Sequence, residues 1–451
     1  MDIENLLSRI EGKTLEHKRD ASSPAPILRT VCAFANTAGG ILLIGIEDRT
    51  RRIVGVDDPL DLEERIINLC SDGIRPHVQP EVEVTSHRGK HLLVVTVFPG
   101  PLRPYYLRSK GREDGACIRI GSTNRRASSE ILAELERTTK NITFDEQPLL
   151  HLPEKRVSRE LAQQRFGDLR KIGSRDLEKL SLVVRADGRL VPTVGGLLLF
   201  GDQRLSEFPD ARIRAARFGG IDRARIIDRA EILSDPVQAV DDALEFVQKH
   251  SNVGMRITGS RRKDVPLYPT VALREAIVNS VVHADYSQKG SPIRIALFEG
   301  RIEIENPGLL PFGLTIEDIR RGASKLRNRV LGRVFHELGL IELWGSGIQR
   351  MSRACEEAGL SVPQLEEVGT GFRVTIDATR SESRAPGDPT DEEILALLAG
   401  GRSLSTSVIA EQIGVTPRTI RTRMRRLVDR GFVVEIGQGP RDPGRVYRLG
   451  V

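Results

Sequence analysis

Residues 272–286 read ALREAIVNSVVHADY, and the reading of this stretch decides the fold of the middle of the chain. Its length and apolar spacing predict a strong helix. Glu275 and Asn279 are four positions apart, so both project from one face of that helix. A carboxylate beside a side-chain amide suits a magnesium-bound nucleotide: the amide oxygen ligates the ion, and the carboxylate orients and deprotonates an attacking water. The pair alone is a weak signal. It gains force from ENPG at 305–308 and WGSGIQRM at 344–351, because glycines at a strand end and a helix start let backbone approach adenine and phosphates.

Around this helix, PIRIALFEGRIEIENPG (292–308) reads as a hairpin and FRVTIDA (372–378) as a closing strand, within an alternation of helices and strands over 236–378. The combination resembles the ATPase fold shared by gyrase, the heat-shock chaperones, histidine kinases and MutL (GHKL), in the divergent form found in proteins labelled RecG-like. The resemblance implies a GHKL-like α/β sandwich that binds ATP with Mg2+. On it, Glu275 and Asn279 fall on the general-base and magnesium box, Asn306 and Gly308 on the adenine box, and Gly345 and Gly347 on the second glycine box. His283 joins the nucleotide-binding set, and the chain between Gly308 and Gly345 becomes the lid. The adenine-reading Asp of the family is Asn306 here, which still accepts from the adenine amino group but lacks the charge. Pro307 stiffens the loop, so nucleotide binding with at most slow ATPase turnover is expected.

Residues 1–140 read as a mixed sheet with helices. ILRTVCAFANTAGG (27–40) spaces Ile27, Val31, Phe34 and Ala35 on one helical stripe and stops at a Gly-Gly pair before ILLIGIED (41–48), a short apolar strand. IVGVDD (53–58) reads as its hairpin return, EVEVTSHRGKHLLVVTVF (81–98) as two alternating runs about a turn, and GACIRIGS (115–122) as a strand before the helix SSEILAELERTT (128–139). AFANTAGG, LIGIED and IRIGSTNRRAS resemble the AlbA-type domain of Schlafen proteins. Three acidic residues carry a metal site in the ribonuclease members of that family. By position they become Glu11, Glu16 and Asp48, in and after EGKTLEHKRD (11–20), with Lys18 beside them. Such a set could hold Mg2+ or Mn2+ to activate water against a phosphodiester.

Charge is unevenly placed. Residues 401–451 hold ten Arg against four Asp plus Glu, which accounts for the whole net charge of +6. A second basic stretch, 101–126, contains Arg119, Arg125 and Arg126. Clustered positive charge suits a polyphosphate partner. The tail reads as three helices and a hairpin, DEEILALLAG, STSVIAEQIG, TPRTIRTRMRRLVDRG and FVVEIGQGPRDPGRVYRLG, which is the winged helix-turn-helix order. Thr416-Pro417 starts the third helix, Ile420, Met424 and Leu427 form its buried stripe, and Arg418, Arg421 and Arg425 face solvent or DNA. This helix resembles those of bacterial winged-helix transcription regulators.

The four cysteines have no zinc or disulfide spacing, no apolar run reaches the roughly 20 residues of a membrane helix, and the acidic start lacks a signal-peptide pattern. A cytoplasmic protein without membrane contact is expected. No GxxxxGK[ST] motif occurs, which weighs against a P-loop motor. The expected organisation is α/β (α+β) multidomain: a Schlafen/AlbA-like domain at 1–140, a connector of unassigned role at 141–235, a GHKL-like domain at 236–378, a linker at 379–390 and a winged helix at 391–451. The expected function is a nucleotide-responsive DNA-binding protein of the transcription-regulator kind. It would take duplex DNA at the tail and DNA or RNA at the N-terminal domain through Lys18, Arg119, Arg125 and Arg126, as a homo-oligomer. The alternative is a metal-dependent nuclease gated by ATP.

Overall fold

Apolar alternation along GILLI places Leu42 and Ile44 on one side of a strand and Leu43 on the other, and both sides are buried. A strand covered on both faces reads as a continuous apolar run rather than as an alternation. It is the second strand of a four-stranded sheet in the computed structural model, which describes residues 3–48, 50–251, 253–258, 261–342, 344–378, 389–399, 402–429, 432–436 and 446–449. The sheet comprises β1 (Leu15–Lys18), β2 (Gly40–Ile44), β3 (Glu81–His87) and β4 (Lys90–Val97), in the order β1-β2-β4-β3. β1 runs parallel to β2, with Leu15 opposite Ile41, and the other pairs are antiparallel. Helix α1 (Pro24–Asn36) covers one face through Ile27, Val31 and Phe34, while Leu6, Leu15, Leu43 and Ile46 close the other. The return through IVGVDD is a single bridge from Ile46 to Ile53, because Val54 and Gly55 both donate to the Gly45 carbonyl and turn the chain away.

At the end of α1, Asn36 is wholly buried and ties the helix to the segments that follow the sheet. Its Nδ2 donates to the carbonyls of Tyr105 and Cys117, both at 2.8 Å, and its Oδ1 accepts from Tyr105 N–H at 2.7 Å. Beyond it, β5 (Cys117–Ile120) and β6 (Thr123–Arg126) form a hairpin, followed by α2 (Ser129–Thr139).

Residues 157–376 share one large core. A six-stranded sheet in the order β8-β7-β9-β10-β12-β11 supports it, with β7 (Ile213–Phe218), β8 (Ile226–Ile232), β9 (Ile293–Leu297), β10 (Arg301–Pro307), β11 (Gln364–Val368) and β12 (Gly371–Asp377). Only β7 and β9 are parallel. Helices α3 (Val194–Phe200), α4 (Pro236–His250), α5 (Thr270–Val282), α6 (Arg329–Glu337) and α7 (Gly347–Glu357) add to the same core, giving an α/β sandwich. In the stretch TVGGLLLF, Thr193 caps the helix α3, which is buried along its whole length. The segment 141–235 is therefore structural: Phe166, Leu182, Leu198 and Ile213 lie in the core that carries 236–378. A smaller cluster joins Ala116, Ile118, Ile131 and Leu135 to Leu309 and Phe312, so packing is continuous across position 140.

The packing divides the chain into two compact units, Met1–Thr379 and Arg380–Val451. Most of the expected linker, 379–388, and the expected hairpin tip, 437–445, lie outside the described residues. In the second unit, helices α8 (Pro389–Leu398), α9 (Thr406–Ile413) and α10 (Pro417–Asp429) and the hairpin of β13 (Val433–Ile436) and β14 (Val446–Leu449) enclose Ile394, Ile409, Ile420, Met424, Leu427 and Tyr447. Ser405 caps α9 and Thr416 caps α10 through the N–H groups of Val408 and Thr419.

Replacing Asn36 with Leu would remove its bonds to two buried carbonyls and one N–H, leaving the Tyr105 carbonyl only the weak donor of the Cys32 thiol. The expected loss is about 2–5 kcal/mol of stability in the first unit, read as a lowered urea midpoint by circular dichroism. An unchanged midpoint would show that Asn36 is dispensable to the fold.

Candidate functional site

Helix α5 presents Glu275, Asn279 and, at its C-terminal end, His283 to a cavity of about 670 Å3. The end of β10 brings Asn306 and Gly308 to the same cavity, and the start of α7 brings Gly345, Gly347 and Arg350. Apolar side chains of Ala276, Ile304, Phe372 and Val374 also line it. The seven residues selected from the three sequence motifs thus border one space, while Arg350, inside the quoted WGSGIQRM, was not selected. Its signal was a cation one helical turn after the glycines, facing a helix that carries a carboxylate.

Arg350 Nη2 donates to Glu275 Oε1 at 2.6 Å, and its Nη1 lies 2.7 Å from Glu342 Oε1. Burial pushes the Glu275 carboxyl above its ordinary range, and the Arg350 guanidinium pulls the other way. The approach of α7 to Glu275 needs the missing side chain at Gly347, where a Cβ would stand 2.6 Å from Glu275 Oε2. Asn279 makes no side-chain hydrogen bond among the described residues, so its amide oxygen is open to an ion or ligand in the cavity. That donor, with a carboxylate one turn away, fits Mg2+ bound largely through water and phosphate.

Asn306 is buried, and its Nδ2 is committed to backbone: 3.0 Å to the Pro307 carbonyl and 3.5 Å to that of His283. Its acceptor oxygen is the part left for the cavity. Gly308 follows with φ of 101°, and a Cβ there would meet Asp285 at 2.9 Å and Arg327 at 3.1 Å. Burial, reinforced by Arg327, pushes the His283 imidazole down to about 4.

The N-terminal acidic residues are arranged differently from the expected metal site. Glu16 is buried between Lys18, whose Nζ is 2.6 Å away, and Arg119. Asp48 reaches the same Nζ at 3.3 Å, and Glu11 Oε1 accepts the His17 N–H at 2.7 Å. The Lys18 ammonium thus stands where a shared cation would lie. Burial works against that ammonium, but Glu16 and Asp48 hold its pKa above the usual lysine value. Among the described residues no group of three His, Cys, Asp or Glu side chains could hold a metal ion; Glu11, Glu16 and Asp48 are engaged instead by the His17 N–H, Lys18 and Arg119. Arg119, expected at a nucleic-acid surface, is fully buried, bonded to Glu16, Asn124 and the carbonyls of Gly12 and Leu15. Arg125 is exposed, and Arg126 is exposed but paired with Asp114.

On α10 of the second unit, Arg418, Arg421 and Arg425 are exposed. Arg423 and Arg426 instead converge on the buried carboxylate of Asp391. The helix therefore keeps three arginines for solvent or a partner and uses two for its own packing.

Three family models match successive parts of the chain: "Schlafen, AlbA_2" over residues 11–128, "Putative ATP-dependent DNA helicase recG C-terminal" over 290–376, and "Winged helix-turn-helix DNA-binding" over 387–434. The chain combines a Schlafen AlbA_2 domain, a RecG-type ATPase-like segment and a winged helix. The RecG-type match begins after α5, so the placement of Glu275, Asn279 and His283 rests on the cavity itself. Among solved structures, the DIP2311 protein from Corynebacterium diphtheriae is similar at 20% identity and a TM-score of 0.45, over 99% of this chain and 96% of that one. The N-terminal domain of a protein named as RecG-related from Nitrosomonas europaea is similar at 30% identity and a TM-score of 0.23, over 28% of this chain and 90% of that one. No curated protein matches the chain. Among the described residues no helix is long and apolar enough to cross a membrane.

The His283 shift carries a pH dependence. Its imidazole stays neutral in the folded chain down to about pH 4, whereas the unfolded chain takes up that proton below about 6.5. Between these values the unfolded state binds more protons, so stability falls as pH falls. The expected loss is about 2 kcal/mol across the window, measured as the difference between wild type and His283→Gln in urea midpoints at pH 7 and pH 4.5. Parallel pH profiles for the two proteins would contradict the shift.

Proposed function

We propose that the protein is a nucleotide-responsive DNA-binding protein, a transcription regulator that binds ATP with Mg2+ in the cavity of the RecG-type region and duplex DNA through the winged helix. The observation that carries the reading is the convergence of Glu275, Asn279, Asn306 and both glycine stretches on one cavity. In this GHKL-like reading Asn279 supplies the side-chain oxygen for the ion, the Asn306 oxygen accepts from the adenine amino group, and Glu275 orients water. The bound ion would supply charge neutralisation at the phosphates. The metal-dependent nuclease is not carried forward, since Lys18 and Arg119 already neutralise the carboxylate at its centre.

Calorimetry with ATP or ADP and Mg2+ tests the cavity. Wild type is expected to bind, Asn279→Ala to lose binding, and Glu275→Ala to keep binding and lose any hydrolysis. Trp344, the single tryptophan of the chain, is 88% exposed and stands between the cavity residues Glu342 and Gly345, so its fluorescence is expected to change on binding. Absence of heat and of a fluorescence change with every adenine nucleotide would overturn the nucleotide reading.

The winged helix is tested separately. Changing Arg418, Arg421 and Arg425 together to Ala is expected to weaken duplex binding and to reduce the slope of log affinity against log salt by about 3. Unchanged affinity and slope in a filter-binding titration would make α10 a protein-docking helix instead.

A further inference from the structure

The cavity wall is fastened at two points to the N-terminal part of the chain, once to the Schlafen AlbA_2 domain and once to the helix α2 that follows it. Arg327 is buried; its Nη1 pairs with Glu134 on α2, and its Nη2 donates to the Leu309 carbonyl. Lys13, inside EGKTLEHK, lies 2.6 Å from Glu367 Oε1 on β11, and the same oxygen accepts the Leu310 N–H at 2.9 Å. Both side chains of this second pair are largely shielded, at 16% and 6% exposure. Leu309 and Leu310 line the cavity directly after Gly308, and Lys325 and Leu326, the neighbours of Arg327, line it from the middle of the lid stretch. The side chains of Leu309 and Phe312 also pack on Ile118, Ile131 and Leu135.

Each tether therefore ends on cavity backbone at one side and, at the other, on the AlbA_2 domain or on the helix α2 directly after it. Lys13 adjoins Gly12, whose carbonyl holds Arg119 and so the Glu16–Lys18 lattice of β1. We propose that nucleotide occupancy of the cavity is transmitted to the AlbA_2 domain and to the helix α2 that follows it through the Lys13–Glu367 and Arg327–Glu134 tethers. A ligand that displaces Gly308–Leu310 or 324–327 must strain or release two shielded ion pairs, and shielded pairs resist small distortions because a separated charge would be left without a partner. The inference rests on the reading of the cavity as a nucleotide site.

The test uses the full-length chain and ATP with Mg2+ as the probe. Amide hydrogen exchange by mass spectrometry is read at 12–18 and 129–139 and, as a control, at 275–283. In wild type, nucleotide is expected to change exchange at all three segments, by about fivefold at the first two. Lys13→Met and Glu134→Gln, made separately, are expected to keep nucleotide affinity within about threefold and the response at 275–283, yet to lose the response at 12–18 or 129–139 respectively. Lys13→Met leaves Glu367 Oε1 its bond from the Leu310 N–H, so it keeps the test valid if Glu134→Gln fails to fold. A nucleotide response confined to 275–283 in wild type overturns the coupling and leaves the cavity reading intact. Full responses in both variants overturn the assigned route. No calorimetric binding by wild type overturns the cavity reading and the coupling with it.

Discussion

A charge taken out of water must be neutralised where it sits, and this requirement organises the chain. Glu16 is enclosed with Arg119 and Lys18, Glu134 with Arg327, Glu275 with Arg350, and Asp391 with Arg423 and Arg426. Breaking such a pair leaves an unpaired buried charge, which costs far more than an exposed pair contributes. The pairs consequently fix which elements lie against each other. They also fix which charged residues are withdrawn from function: Glu16 and Arg119 neutralise one another, and two of the arginines on α10 are consumed by Asp391. Side chains left outside these pairs include Asn279 in the cavity and the exposed Arg418, Arg421 and Arg425 on the winged helix.

Periodicity and punctuation made much of the fold legible. The apolar stripe of α1, the single long helix α5, the hairpin β9–β10 and the Thr416-Pro417 start of α10 are all local consequences of side-chain spacing. The role of 141–235 was not legible, because α3 is apolar on every side and shows no face. Its function as part of the sheet-bearing core follows only from partners far along the chain.

The same limit separates the two candidate sites. Glu275, Asn279 and the glycine stretches come together because the first two share one face of a single helix and the glycines sit at the ends of regular elements, so sequence position translates into place. In the AlbA_2 domain the sequence brought Glu11, Glu16 and Lys18 close along the chain, but the partner that decides Glu16 is Arg119, 103 positions away. Spacing along a strand tells which residues share a face. It does not tell which distant cation arrives to neutralise them.

Arg350 extends this logic into the cavity. Its guanidinium joins Glu275 on α5 to Glu342 in the lid stretch, so one cation neutralises two carboxylates across the cavity. A polyphosphate entering beside Gly347 would compete with both carboxylates for that guanidinium, and Mg2+ at Asn279 would offer Glu275 a replacement countercharge. Ion and phosphate together can therefore exchange partners with the Arg350 lattice without leaving a charge unpaired, whereas either alone cannot. On the proposed nucleotide reading, the cavity would therefore favour the metal–nucleotide complex over the free nucleotide.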